Sequence, residues 1–203
     1  MMNEGDKGKT SGGFHNNGQV GRSSGFNRDS DNIVRELPKE YIELLKEGYF
    51  DNCGVIKEQY LIGLAENVAI SISGGKFSRK PMTATQMCSF FGHVRGAEMS
   101  YGYATQDIKK EEKSGKITTQ EVKEKEQASG RQLVNQIKKL DMLVKNAASN
   151  IESSITPEFI QFISRNAVCC NSPRDILNGF IPHFEAIMGF FKYYERNKNN
   201  RNQ

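Results

Sequence analysis

From residue 37 onward, apolar residues recur three or four positions apart, which is the spacing of an amphipathic helix. The clearest stripes lie within 61–68, 87–101 and 133–151, and the third consists of Leu133, Ile137, Leu140, Val144, Ala147 and Ile151. The segment VAISIS at 68–73 alternates briefly, but it continues a helical stripe and predicts no strand. The pattern therefore predicts an all-α fold, a compact bundle of about five or six helices.

Four polar residues mark the beginnings of predicted helices. Thr83 and Thr118 are each followed three positions later by Gln or Glu, as in a capping box. Thr156 and Ser172 each precede a proline, which is the pattern of an N-cap residue before proline at the first helical position.

The stretch 106–127 is almost entirely charged or polar and is interrupted at Ser114–Gly115. A glycine after a polar residue is typical of a turn between helices. Because KKEEKSGK and EVKEKEQ offer almost nothing to bury, we expect a helical hairpin whose tip projects beyond the core.

The C-terminal stretch FIPHFEAIMGFFKYYER, residues 180–196, is rich in rings, and it could form part of the core or a platform for stacking bases. Six of its side chains fall on one helical face: Phe180, Phe184, Ile187, Met188, Phe191 and Tyr194. Such regularity favours a core helix, since stacking platforms are usually built on sheets. Phe190 and Tyr193 lie partly off this stripe and leave aromatic surface for a protein partner.

Three regions are expected along the chain. Residues 1–32 are rich in Gly, Ser and Asn and predict a disordered tail, 33–197 form the helical bundle domain, and 198–203 form a basic, disordered C-terminus. No stretch is long and apolar enough for a membrane span, and the N-terminus has no apolar secretory segment. We therefore expect a cytoplasmic protein with no membrane partner.

The net charge of +4 is distributed unevenly. Residues 76–145 carry 14 basic and 8 acidic side chains, and 191–203 carry 4 and 1. Clustered Lys and Arg gain binding energy by displacing counterions from a phosphate backbone, so this asymmetry points to a polyanionic partner. A solvated helix face is the alternative.

No pattern of catalytic or metal-binding residues emerges. The cysteines, Cys53, Cys88, Cys169 and Cys170, lack C-x-x-C spacing, so we expect reduced, mostly buried thiols, no zinc site and no cofactor. Phosphate-binding, dinucleotide, metalloprotease and hydrolase motifs are also missing, which favours a binding or scaffolding protein over an enzyme. His93 and His183 are interpreted as core or boundary histidines, and Glu185 as a structural acid bonding an Arg or Lys across the bundle; a nuclease using either histidine is a distant alternative.

Two motifs resemble a known family. PHFEAIMGFFKYYER resembles the final helix of the small helical subunit of type III-A CRISPR effector (Csm) complexes, and PMTATQMCSFFGHVRGAE at 81–98 resembles an earlier helix of that family. The order of the helices agrees, and the resemblance covers roughly 56–196. Two basic positions of the family fall on Cys88–Ser89 and near Ser149–Asn150, whereas Arg95 keeps a basic residue.

The resemblance implies a non-catalytic subunit of an RNA-guided interference complex. Such subunits stack in several copies beside the backbone and large subunits and contact guide RNA and target RNA through phosphates. The cutting and synthesis reactions belong to other subunits.

The candidate phosphate contacts are basic residues on helices flanking the glycine-rich break and on the long middle helix: Arg79, Lys80, Arg95, Lys138, Lys139 and Lys145. Lys138 and Lys145 are seven residues apart and therefore share a helical face. The alternatives are the small subunit of another type III complex and a helical adaptor that binds only protein.

Overall fold

The computed structural model describes residues 36–73, 82–150 and 153–201, with the side chains of 198–201 left out. Within these ranges the α-helices are α1 (Lys39–Lys46), α2 (Leu64–Ile72), α3 (Ala84–Lys113), α4 (Thr119–Ala148), α5 (Pro157–Cys169) and α6 (Ile181–Arg201). A 3-10 turn at Glu58–Tyr60 precedes α2, and a π-helical segment, Asp175–Phe180, leads into α6. The only β pairing in these ranges is an isolated antiparallel bridge between Phe50 and Ile56. The predicted all-α fold with about six helices is confirmed.

The core lies where α6 packs on α2 and α3, and where α5 packs on α1, α2 and α4. Phe180, Phe184 and Phe191 of the C-terminal stripe are at most 1% exposed. The Phe184 ring meets that of Phe162 edge to face, with centroids 5.1 Å apart. The stripe therefore packs into the core, as its regularity predicted, although Met188 and Tyr194 are only half-buried.

All four predicted N-caps are present. Thr83 and Thr118 form capping boxes, in which the hydroxyl accepts from the third backbone N–H of the helix and the Gln or Glu side chain accepts from the threonine N–H. The hydroxyl of Thr156 accepts from the N–H of Phe159 at 3.3 Å. That of Ser172 accepts from the N–H of Asp175 at 3.1 Å.

Helices α3 and α4 form the predicted hairpin, each 30 residues and therefore about 45 Å long. The turn between them contains Gly115, whose φ of 66° suits glycine. Residues 106–127, which we call the arm, contribute nothing to the main core cluster. Ile108 and Val122 are buried within the arm, and Lys125 pairs with Glu111 across it.

The N-terminal part of the domain was not anticipated from the apolar stripes. Its tyrosines, Tyr41, Tyr49 and Tyr60, are buried, and Tyr49 lies against Gly179 of the π-helical segment. A Cβ added at Gly179 would come within 2.6 Å of the Tyr49 ring. The π-helical segment also widens the turn before Pro182, where an α-helix would place a carbonyl against the proline ring.

The described residues cover the predicted regions 1–32, 33–197 and 198–203 only in part. The tail at 1–32 lies outside the described residues, and α6 is helical to Arg201, beyond the boundary expected at 197. All described helices belong to one unit, which spans 35–203. None of the helices in the described ranges has both the length and the apolar character needed to cross a membrane.

Candidate nucleic-acid interface

One face of α4 carries a row of exposed basic side chains, Arg131, Lys138 and Lys145. Successive members are seven residues apart, which is nearly two helical turns, so the row extends about 21 Å along one side of the helix. We call these three residues the α4 row. Two of them were predicted, and Arg131 was missed although its heptad spacing from Lys138 is readable in the sequence.

The row faces outward because the opposite side of α4 packs into the core. Leu133, Ile137, Leu140 and Val144 are at most 1% exposed, and α4 packs there on α3 and α5. Met142, between Lys138 and Lys145, is 63% exposed. In 128–148 the only acidic residue is Asp141. The face therefore combines positive charge with one exposed apolar side chain.

Asp141 fixes the C-terminal end of the row. Lys145 Nζ lies 2.8 Å from Asp141 Oδ2, and the Ser164 hydroxyl on α5 donates to Asp141 Oδ1. The hydrogen bond from Lys145, with that from Ser164 second, holds the pKa of Asp141 below its usual value. Lys145 is thus positioned one helical turn from its partner, and part of its charge is compensated.

The other two members are less constrained. Lys138 Nζ donates to Asn171 Oδ1 at 3.3 Å, in the loop after α5. Arg131 makes no hydrogen bond or ion pair within the described residues. It borders a groove of about 470 Å³ between α4 and that loop, where Pro173 lies against Gly130. Both cations are therefore available to a partner on this side of α4.

None of the other predicted phosphate contacts that the structure describes belongs to the α4 row. Lys139 is exposed but lies about 100° around the helix from Lys138. Arg95 lies where α3 meets α6, 2.6 Å from Glu98 and 3.8 Å from Glu185. The second contact confirms that Glu185 pairs across the bundle, and it places Arg95 on a different seam from the row. Arg79 and Lys80 lie outside the described residues.

His183 is fully buried and serves a hydrogen-bond network. Its Nδ1 donates to the Tyr60 carbonyl at 2.6 Å, since a carbonyl can only accept, and its Nε2 therefore accepts from the Tyr41 hydroxyl at 2.9 Å. Asn166 donates to Tyr41 at 2.7 Å and accepts from Tyr49 at 2.8 Å. Burial lowers the pKa of His183 to about 4, against the opposing effect of the Tyr60 bond. The imidazole is neutral and has no route to an external substrate.

The other candidate groups are dispersed. His93 is exposed on α3, and no described cluster of three or more His, Cys, Asp or Glu side chains could hold a metal ion. The cysteines are free thiols, but the expectation that most of them are buried is wrong, because only Cys170 is buried, Cys88 and Cys169 are half-buried and Cys53 is exposed. Burial raises the pKa of Cys170 to about 12. The α4 row is therefore the best-defined charged feature of the bundle.

Comparisons with protein-family models, with curated proteins and with solved structures found no match to this chain.

Proposed function

We propose that the chain is a non-catalytic small subunit of a type III-A CRISPR RNA-guided interference complex, which stacks in several copies and contacts the backbone of the guide RNA–target RNA duplex. The observation that carries this proposal is the α4 row, three exposed cations on one face of a single helix. The choice of this family rests on the resemblance of the C-terminal and 81–98 motifs.

A row of this kind suits phosphate contact rather than base reading. Long basic side chains at regular intervals displace counterions along a nucleic-acid backbone without recognising sequence. Asp141 compensates only Lys145, so the row keeps a net positive charge. We expect affinity that depends on salt and is indifferent to base sequence.

The arm suits contacts with protein. It carries six lysines and six acidic residues, so it offers no net attraction to RNA. Charges of both signs on a projecting hairpin can instead pair with a neighbouring copy or with the large and backbone subunits.

The test is the salt dependence of duplex binding in the triple variant Arg131→Gln, Lys138→Gln, Lys145→Gln. Glutamine is preferred to glutamate because a new carboxylate at 145 would repel Asp141 one turn away. We expect unchanged helicity and a slope of log affinity against log salt that falls by roughly one unit per lost contact.

The matched control neutralises three exposed arm lysines, Lys109, Lys116 and Lys123, with the same change in net charge. This control should keep the original salt slope. An unchanged slope in the folded α4 variant would refute the role of the row.

The structure offers one reason to keep the protein-only adaptor as a second candidate. Arg95 and Lys145 already have carboxylate partners within the bundle. Purification of the tagged chain separates the candidates, because a CRISPR subunit brings guide RNA and larger subunits with it, whereas an adaptor brings protein alone. The identity of those larger subunits distinguishes type III-A from another type III complex.

A further inference from the structure

A second candidate binding surface lies between α6 and the start of α2, and none of its residues belongs to the α4 row. An open groove of about 640 Å³ separates α6 from the start of α2. Successive turns of α6 form one wall, and the lining residues are Leu61, Glu66, Ala186, Gly189, Phe190 and Tyr193. We call this the α6 groove.

An exposed ring stands at one edge of the groove. The Tyr193 side chain is 61% exposed, and its ring meets that of Tyr194 edge to face with centroids 5.2 Å apart. The Tyr194 hydroxyl donates to Glu66 of α2, which fixes the Tyr194 ring beside that of Tyr193. The Tyr193 ring therefore has one fixed aromatic neighbour and keeps most of its surface exposed.

The floor beside Tyr193 is empty of side chain. A Cβ added at Gly189 would meet no atom within 4 Å, so the space over this turn of α6 belongs to the groove. Gly189 and Tyr193 are four residues apart and therefore adjacent on one face. A flat group placed over Gly189 would lie against the Tyr193 ring.

Two basic side chains lie at the rim of the groove, next to Tyr193 on α6, whereas the groove itself is lined by the acidic Glu66. Lys192 and Arg196 flank Tyr193 on α6, are exposed, and form no ion pair within the described residues. The one acidic residue nearby on α6, Glu195, accepts a hydrogen bond from the N–H of Ala84 at 3.0 Å and is directed at the start of α3. Positive charge at the rim is therefore left for a ligand.

We propose that the α6 groove binds an unpaired nucleotide of a single-stranded nucleic acid. The base stacks on Tyr193 above Gly189, and Lys192 and Arg196 contact the adjoining phosphates, an arrangement of aromatic ring and basic rim that suits single strands. Glu66 inside the groove repels anionic groups, phosphate as well as carboxylate, so the phosphates lie outside the groove beside Lys192 and Arg196, and Glu66 can accept a hydrogen bond from a base amino group. This site goes beyond the proposed function, because it takes unpaired bases on a surface other than the α4 row.

The experiment uses the full chain and a short single-stranded oligoadenylate that carries a single 2-aminopurine, whose fluorescence is quenched by stacking. We expect binding with quenching. Tyr193→Ser should weaken binding about tenfold to a hundredfold, since that is the usual contribution of a base stacked on an aromatic ring. Tyr193→Phe, which keeps the ring, should retain the quenching.

Gly189→Met is the more specific variant because its side chain fills the groove without an internal clash, and it should abolish the quenching. Gly92→Met is its matched control. Gly92 is an exposed helical glycine of α3 with the same open surroundings, so its replacement should leave binding unchanged.

Binding without quenching, or quenching that survives Gly189→Met, would overturn the proposal. Displacement of the oligonucleotide by an equimolar acidic peptide containing phenylalanine would assign the groove to a protein partner and overturn it as well. These outcomes can be told apart from a failure of the proposed function. If neutralising the α4 row leaves duplex binding unchanged while quenching persists, the α6 groove stands and the role of the row falls.

Discussion

Mild acid is expected to destabilise the bundle through His183. The imidazole is neutral and fully buried, and its pKa in the folded chain is about 4, compared with the ordinary value of 6.5. Between these two pH values the imidazole of His183 is protonated in the unfolded chain but stays neutral in the folded chain. The free energy of unfolding therefore falls as the pH drops from about 6.5 towards 4, and it is fully retained above this window.

The size of the effect follows from the same difference. A shift of one pKa unit corresponds to about 1.4 kcal/mol, so the full loss through His183 is about 3 kcal/mol, of which about 2 kcal/mol is reached by pH 5. Asp141, whose pKa is lowered, acts below this range, because its contribution is lost only once the pH falls past its ordinary value of 3.8. His183 should thus dominate between pH 7 and pH 5.

The assay is urea unfolding at a series of pH values, for the wild type and for His183→Gln. Glutamine cannot titrate here, so the variant should start less stable but lose little more between pH 7 and pH 5. His93→Gln is the control, since this histidine is exposed and removing it breaks no buried hydrogen bond.

If His183→Gln fails to fold, the imidazole of His183 can be followed by NMR in the wild type. A His183 signal that titrates near 6.5 in the folded protein, or a wild-type free energy of unfolding that stays level from pH 7 to pH 5, would refute the reasoning.

Two further predictions concern α6 and the segment before it, and both are checked by urea unfolding. Gly179→Ala should destabilise by about 1–3 kcal/mol because its Cβ collides with the Tyr49 ring, whereas Gly189→Ala should stabilise by about 0.5–1 kcal/mol because its surroundings are open. Equal effects of the two changes would contradict the packing against Tyr49. Phe184→Ala should cost about 3 kcal/mol or more through lost burial and a cavity, and a variant as stable as the wild type would remove Phe184 from the core.

Local physics made most of the fold predictable. The helical stripes, the N-caps at Thr83, Thr118 and Thr156, and the break at Gly115 each depend on residues within a few positions of one another. A capping hydroxyl and a repeat of 3.6 residues need no distant partner, so both can be recognised in the local sequence.

The remainder depends on partners far apart in the chain. The network of Tyr41, Asn166 and His183 joins residues separated by more than 100 positions, and no spacing rule indicates it. The ion pair of Arg95 also depends on a distant partner, although Arg95 was predicted as a phosphate contact from its charge, its place beside the glycine-rich break and the resemblance of the 81–98 motif. Only the packing of α3 on α6 brings Glu185 to Arg95. Arg131 is different, because its spacing was visible and was overlooked.

The α3–α4 turn has a practical consequence for work on this protein. The chain leaves α3 and enters α4 within a few exposed residues around Ser114 and Gly115, at the far end of an arm that adds nothing to the main core. Exposed turns with small residues tolerate insertions well, since little buried area or backbone bonding is disturbed. A fluorescent protein or affinity tag could be spliced in at this point, which would label the chain internally while both ends, the α4 row and the α6 groove keep their native sequence.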